Sequence, residues 1–330
     1  MKLDKKKCTL ILIIILHSCE NEQSQKEVSV IAGCTDGNAD NYNSQASVDD
    51  GSCSYFGCTN PNAVNFDSSA TIDDGNCIYQ DEIPIGYQYF WNDEFNVDSL
   101  NQNYWNIELM NAGEINNEKQ EYVKSSKNLY QENGNLVIKA RKSTPFDPNN
   151  PSYTSSRVNT KNKVHMKYGY IEVRAKLPSG IGTWPAIFML SEEIESVGWP
   201  FCGEIDIMEH VGYQENHIFF SIHNGFLNSN VHGTDQQGVF YSEGVEDEFH
   251  IYSMTWDSTK IEGYFDNQLY FTFNKPISAT YNEWPYDSPY FLILNLAIGG
   301  DWGGQEGIDN SIFPATYMID YVRIYSKILY

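Results

Sequence analysis

Basic residues are scarce in this chain. Its 330 residues hold 21 Lys and Arg against 44 Asp and Glu, a formal net charge of −23 at pH 7. Such a surface repels nucleic acid and other anionic polymers, so it disfavours phosphate-bearing partners and points to a neutral one. Long apolar runs are missing too. Beyond the first nineteen residues no segment has the ~20 apolar residues that a bilayer-crossing helix needs. Of seven Cys, only Cys202 lies after Cys77. With no base assigned to it, Cys202 reads as a small packed residue rather than a nucleophile. Helical periodicity is nearly absent after residue 84, and no cofactor motif is present. What remains is a β-rich domain that works with its own side chains.

What is present begins with MKLDKKKCTLILIIILHSC, a Lys-rich start followed by a short apolar run from Leu10 to Leu16. The run is too short to span a bilayer and has the polarity of an export signal, so residues 1–18 are excluded from the fold. The last four residues resemble the lipobox of bacterial lipoproteins, which makes Cys19 the expected lipid-modified first residue. Residues 19–32 then act as a tether. The expected location is the bacterial outer membrane or cell surface, reached only through this anchor. Removing residues 1–18, with four Lys and one Asp, leaves a net charge of about −26.

Two segments align without a gap, GCTDGNADNYNSQASVDDGSCSY from Gly33 and GCTNPNAVNFDSSATIDDGNCIY from Gly57. Neither has enough apolar residues for a core. Four Cys in an exported chain suggest disulfides, and Cys34 to Cys53 with Cys58 to Cys77 is the simplest pairing; the sequence leaves the other two pairings open. The DDG turns lack the full ligand series of an EF-hand loop, so they read as solvated turns. Residues 33–79 are expected to form a disulfide-rich stalk.

Residues 84–328 form the third part, an all-β domain. In YGYIEVRAKL the apolar Ile171, Val173, Ala175 and Leu177 alternate with Glu172, Arg174 and Lys176, the pattern of a half-buried strand. Similar signals recur at NLVIKARK, HIFFSIH, FHIYSMTW, KIEGYFD, QLYFTF, PYFLILNLA and MIDYVRIYS. Many short strands with Gly, Pro and Asn turns suit a two-sheet sandwich around one core.

GEIDIMEH, residues 203–210, breaks the two-residue rhythm of a strand. Glu204 and Asp206 share a face, and position 208 is next, yet 208 is Met and the third acid is Glu209. A β-bulge would bring Glu209 back to the face of the other two, with Ile205 and Ile207 toward the core. Adjacent carboxylates repel, so one holds a proton while another stays ionised. That is the division of labour of retaining glycoside hydrolysis, in which two carboxyls about 5–5.5 Å apart act as nucleophile and acid/base. A solvated acidic face is the plain alternative. A metal site involving His210, His217 and His223 lacks a familiar ligand spacing.

GEIDIMEHVG, with GTWPAIFML and GWP before it and FHIYSMTW and LNLAIGGDW after it, resembles glycoside hydrolase family 16, and its laminarinase (endo-1,3-β-glucanase) branch most closely. The resemblance covers roughly residues 88–326, including WNDEF and MIDYVRIY at the two ends. It implies a concanavalin A-like β-jelly roll whose concave sheet forms an open groove, and endo-acting retaining hydrolysis of a laminarin-like β-1,3-glucan without a cofactor. It implies that Glu204 is the nucleophile, Glu209 the acid/base and Asp206 the residue that tunes both. Trp184 and Trp199 match aromatic platforms, His223 a His beside the acids, and Arg157, Asn116 and Glu118 polar positions of the cleft. Many members carry a structural Ca²⁺ on the convex side; its ligands are unassigned here. Phe188, Tyr170 and the NG after His223 depart from the common pattern and bear on subsite preference. Mixed-linkage 1,3-1,4-glucan, an agarose-type galactan and a non-catalytic sugar-binding sandwich are therefore the alternatives, with a surface adhesin whose large domain is inert as a further one. The expected state is a monomer.

Overall fold

The computed structural model describes residues 30–145, 147, 152–227 and 236–328. The export signal, Cys19 and most of the 19–32 tether lie outside them. The chain divides into two compact units, Met1–Ser54 and Tyr55–Tyr330. Both disulfides take the within-repeat pairing, Cys34–Cys53 and Cys58–Cys77. In each repeat the aspartates of the DDG turn accept hydrogen bonds from the backbone two residues on. Asp49 takes Gly51 N–H at 3.1 Å and Asp73 takes Gly75 N–H at 2.8 Å. Their side chains are thereby spent on making the turn.

The boundary between the two compact units falls between the repeats. Asn76 in the second repeat stands where the first has Ser52. The Asn76 Oδ1 accepts the Glu94 N–H at 2.8 Å, and its carbonyl accepts the Asn92 amide at 3.2 Å. Asn96 donates to the Gly75 carbonyl at 3.1 Å. These bonds join the second repeat to the strand Tyr87–Asp93 and the turn after it.

The rest of the second unit is a sandwich of an eight-stranded and a ten-stranded sheet. The eight-stranded sheet carries the site. In chain order its strands are β1 (Asn106–Ile107), β2 (Arg157–Asn159), β3 (His165–Met166), β4 (Thr183–Ser191), β5 (Glu204–Glu209), β6 (His217–His223), β7 (Gln236–Tyr241) and β8 (Tyr290–Ile298). In space they run β7-β6-β5-β4-β8-β2-β1, with β3 also on β8. The strand Gly169–Lys176 of the other sheet buries Ile171, Val173 and Ala175 as its alternation requires. These residues meet Ile187, Met189, Ile205 and Ile222 from the first sheet in one core. A smaller apolar cluster of Ala186, Phe188, Phe291 and Ile293 lies separately, on the alternate residues of β4 and β8.

Candidate active site

The bulge expected in GEIDIMEH is present at Ile207. Toward β4, Phe188 pairs with Asp206 and Ile187 with Met208, so Ile207 has no partner of its own. Toward β6, Asp206 pairs with Ser221 and Glu209 with Phe219, three steps on β5 against two on β6. Ile207 and Met208 are both fully buried in the main core. Two core side chains thus occupy one pleat, and Glu204, Asp206 and Glu209 share the opposite face.

The chain enters β5 through Gly203, at φ +84°. A Cβ there would lie 2.1 Å from the hydroxyl of buried Tyr290, so only glycine fits.

The three acids line a groove of about 570 Å³ with Asn116, Trp184, Trp199, Phe219, His223 and Trp302 among its other walls. Each glutamate has its own indole donor. Trp199 Nε1–H donates to Glu204 Oε2 at 2.5 Å, and Trp184 Nε1–H donates to Glu209 Oε1 at 3.0 Å. Asp206, almost wholly buried, has its Oδ2 3.1 Å from Nε2 of His223.

Burial disfavours the ionised form of both glutamates, and the charge of Asp206 adds to this. Glu204 is pushed up to about 7, held back by His223 and the Trp199 bond. Glu209 is raised well above the carboxylate range by the same two causes, burial first. Burial alone would lower His223, but its hydrogen bond to Asp206 and the negative charge of the neighbouring acids, Asp206 foremost, outweigh that and push it up to about 10. The site therefore contains an imidazolium near neutral pH. Of the two glutamates, Glu204 loses its proton first and Glu209 keeps one.

The remaining expected residues separate. Asn116 lines the groove, and its carbonyl accepts the Asp301 N–H at 2.8 Å. Glu118 and Arg157 do not line it. Glu118 is buried and accepts from Gln120 Nε2 at 2.7 Å and Tyr122 OH at 2.9 Å. Arg157 is buried on β2, paired with Glu108 and stacked 5.0 Å over the Phe188 ring. Both are polar side chains tied to their neighbours, and the charge of Arg157 helps to lower Glu204. Phe188, at the position of a common Trp, serves as the surface on which Arg157 rests.

Trp302 is a wall residue that the sequence reasoning left without a role. Its ring meets Trp184 at 5.7 Å and Phe219 at 4.9 Å, both edge-on. The signal was the glycine run before and after it. A Cβ on Gly303 would sit 2.8 Å from the Trp184 Cβ, and Gly300 lies as close to the Asn116 carbonyl, so IGGDWGG is built to press against the groove wall. Gln214, Ser221, Gln237 and Gln305 also line the groove and carried no sequence signal. Among the described residues, no group of three or more His, Cys, Asp or Glu is placed to hold a metal ion.

Comparisons with known proteins agree with this geometry. Residues 116–323 match the sequence model of the glycosyl hydrolases family 16. A beta-glucanase of Rhodothermus marinus is 39% identical over 243 residues, which cover 71% of this chain and 84% of that protein. The crystal structure of a laminarinase from Flavobacterium sp. UMI-01 superposes with a TM-score of 0.66 at 40% identity, covering 72% of this chain and all of the other. SCLam, a non-specific endo-beta-1,3(4)-glucanase crystallised with an oligosaccharide at its active site, superposes with a TM-score of 0.69 at 37% identity, covering 74% of this chain and 96% of the other.

Proposed function

The chain belongs to the glycosyl hydrolases family 16, and from that premise we propose how its groove works. The protein is an endo-acting hydrolase of β-1,3-glucan. Glu204 attacks the anomeric carbon while Glu209 passes its proton to the departing glycosidic oxygen, leaving a glycosyl ester on Glu204. Glu209, now ionised, takes a proton from water, whose oxygen attacks the anomeric carbon and frees Glu204. The reaction uses two carboxyls and water and requires no cofactor.

The observation that carries these roles is the bulge at Ile207, which brings two glutamates with unequal proton affinity to one face. Asp206 raises and His223 lowers both glutamates, while the charge of Arg157 lowers Glu204 and that of Glu204 raises Glu209. Trp199 and Trp184 hold one oxygen of each glutamate and offer ring faces to the sugar. A sugar-binding protein without catalysis has no use for a graded acid pair. The deeply acidic chain favours a neutral glucan over a sulfated polymer.

The similarity to a non-specific 1,3(4)-glucanase makes mixed-linkage glucan the second substrate to test. Residues 1–18 and Cys19 support a lipid-anchored protein at the cell surface, acting on polysaccharide outside the cell.

The test is release of reducing ends from laminarin, mixed-linkage glucan and agarose by the chain from Tyr55 onward and by its Glu204→Gln variant. Short oligosaccharides from laminarin, lost in the variant, are expected. Release unaffected by Glu204→Gln would remove Glu204 from the chemistry, and release from agarose alone would overturn the substrate.

A further inference from the structure

Phe219 and Gln214 line two cavities. One is the groove over the acids; the other is an open hollow of about 460 Å³ whose remaining walls are Tyr213, Glu215, His217 and Val239.

The register of β6 on β7 fixes how the two cavities are arranged. Ser221 pairs with Gln237, Phe219 with Val239 and His217 with Tyr241. Ser221 and Gln237 line only the groove, Phe219 lines both cavities, and His217 and Val239 line only the hollow. Residues 217, 219 and 221 share one strand face, about 7 Å apart at each step of two. The hollow is thus displaced from the groove along the strands. The groove itself takes side chains from β4, β5, β6 and β7 and so runs across them. A polymer lying over the acids passes the mouth of the hollow, and only a substituent on that polymer turns into it.

On the β-1,3-glucan reading above, on which this step rests, we propose that the hollow is a branch pocket: it takes a glucosyl unit joined to O6 of a main-chain unit near the cleavage point. O6 is the one glucose hydroxyl on an exocyclic arm, so a unit attached there can leave the line of the main chain. The walls suit a neutral sugar. Phe219 and Val239 give apolar surface, and Tyr213, Gln214, Glu215 and His217 give hydrogen-bonding groups. The wall is held in place: the Tyr213 hydroxyl donates to Gln305 Oε1 at 2.9 Å, tying it to the loop that carries Trp302, and the His217 ring is held by a 2.8 Å contact of Nδ1 with the Glu215 carbonyl. Glu209 and Phe219 are cross-strand partners, so the mouth lies beside the acid/base.

The experiment compares kcat/KM on a linear β-1,3-hexasaccharide and on the same hexasaccharide with one O6-linked glucosyl unit. It uses the wild type, Val239→Trp, which fills the hollow, and His217→Ala, which removes a wall. Thermal unfolding monitors folding of both variants. The wild type is expected to cut both substrates, and Val239→Trp to lower the branched-to-linear ratio at least tenfold, with a smaller fall for His217→Ala. Products of wild-type digestion of branched laminarin, located by NMR, should carry branches beside the new chain ends. An unchanged ratio in both variants overturns the branch pocket, as does a wild type that cuts only the linear substrate. A wild type that cuts neither overturns the glucanase reading, and the pocket with it.

Discussion

Replacing Trp199 by Phe keeps a ring at the groove but removes one N–H, and the consequence should appear in the pH profile. Burial and then the charge of Asp206 raise Glu204 to about 7, while the charge of His223 and the Trp199 hydrogen bond oppose that rise. Trp199 Nε1–H donates to Glu204 Oε2 at 2.5 Å and favours the carboxylate. A hydrogen bond to a charged group contributes about 1.5–3 kcal/mol, and one pKa unit corresponds to about 1.4 kcal/mol, so its loss amounts to roughly one to two units. Trp199 is 42% exposed, so water replaces part of the bond, and about one unit is the figure to expect. Glu204 acts as nucleophile only when ionised. The acid limb of kcat/KM, which reports the free enzyme, should therefore move up by about one pH unit. At a pH about one unit below the wild-type limb the loss is then about tenfold, and on the plateau it is small. The assay is kcat/KM on laminarin from acid to alkaline pH for wild type and Trp199→Phe. An acid limb that stays where it was, with activity reduced equally at every pH, would refute the argument and leave Trp199 as a stacking surface only.

The same burial has a cost in stability. A carboxyl whose pKa is raised by folding is fully compatible with the fold below its unfolded value, and it loses stability for the fold as pH rises through the folded value. Glu204→Gln should therefore stabilise the protein at pH 8 by on the order of 2 kcal/mol and leave it unchanged at pH 4, as measured by urea unfolding. Gly203→Ala should abolish most activity and lower the melting temperature, because the added Cβ meets the Tyr290 hydroxyl and the backbone sits at φ +84°. Circular dichroism melts with laminarin assays check this. A chain beginning at Ile83 loses the bonds from Gly75 and Asn76 to Asn92, Glu94 and Asn96. At about 1 kcal/mol each, it should melt roughly 5–10 °C below a chain beginning at Tyr55. Equal melting temperatures would make the second repeat a mere appendage.

Much of this was legible because the period of a strand is strict. The alternation in YGYIEVRAKL set the buried face of Gly169–Lys176, and the misfit of Glu209 with that period implied a bulge. Residues whose contacts are set by distant parts of the chain were not legible. The family resemblance put Arg157 at the cleft, but Glu108, nearly fifty positions earlier, takes its guanidinium, which lies over the Phe188 ring. Glu118 is drawn under by Gln120 and Tyr122 in the same way. The two indoles were read as faces for sugar, and their N–H groups turn out to hold the carboxyls of Glu209 and Glu204. The bonds that tie the second repeat to Asn92, Glu94 and Asn96 carry no such signal, because two of the three end on backbone carbonyls.

The bulge also explains why the acids hold their places. Ile205, Ile207 and Met208 are completely buried, so moving the register of β5 by one residue would expose core side chains on one face and bury the acids on the other. Burying a Leu- or Ile-sized side chain is worth about 1.5–3 kcal/mol, and an unpaired buried carboxylate costs several more. The packing of three apolar residues behind the strand therefore fixes the position of three acids in front of it. The mobile, solvated alternative for GEIDIMEH, an acidic surface strand, has no such constraint, and nothing in it would place an indole donor on each glutamate. The geometry of the acids is a by-product of core packing: deleting Ile207 would put Glu209 in simple alternation with Glu204 and Asp206 and leave it on their face, so laminarin assays should show a smaller loss for that deletion than for the loss of Glu209 itself.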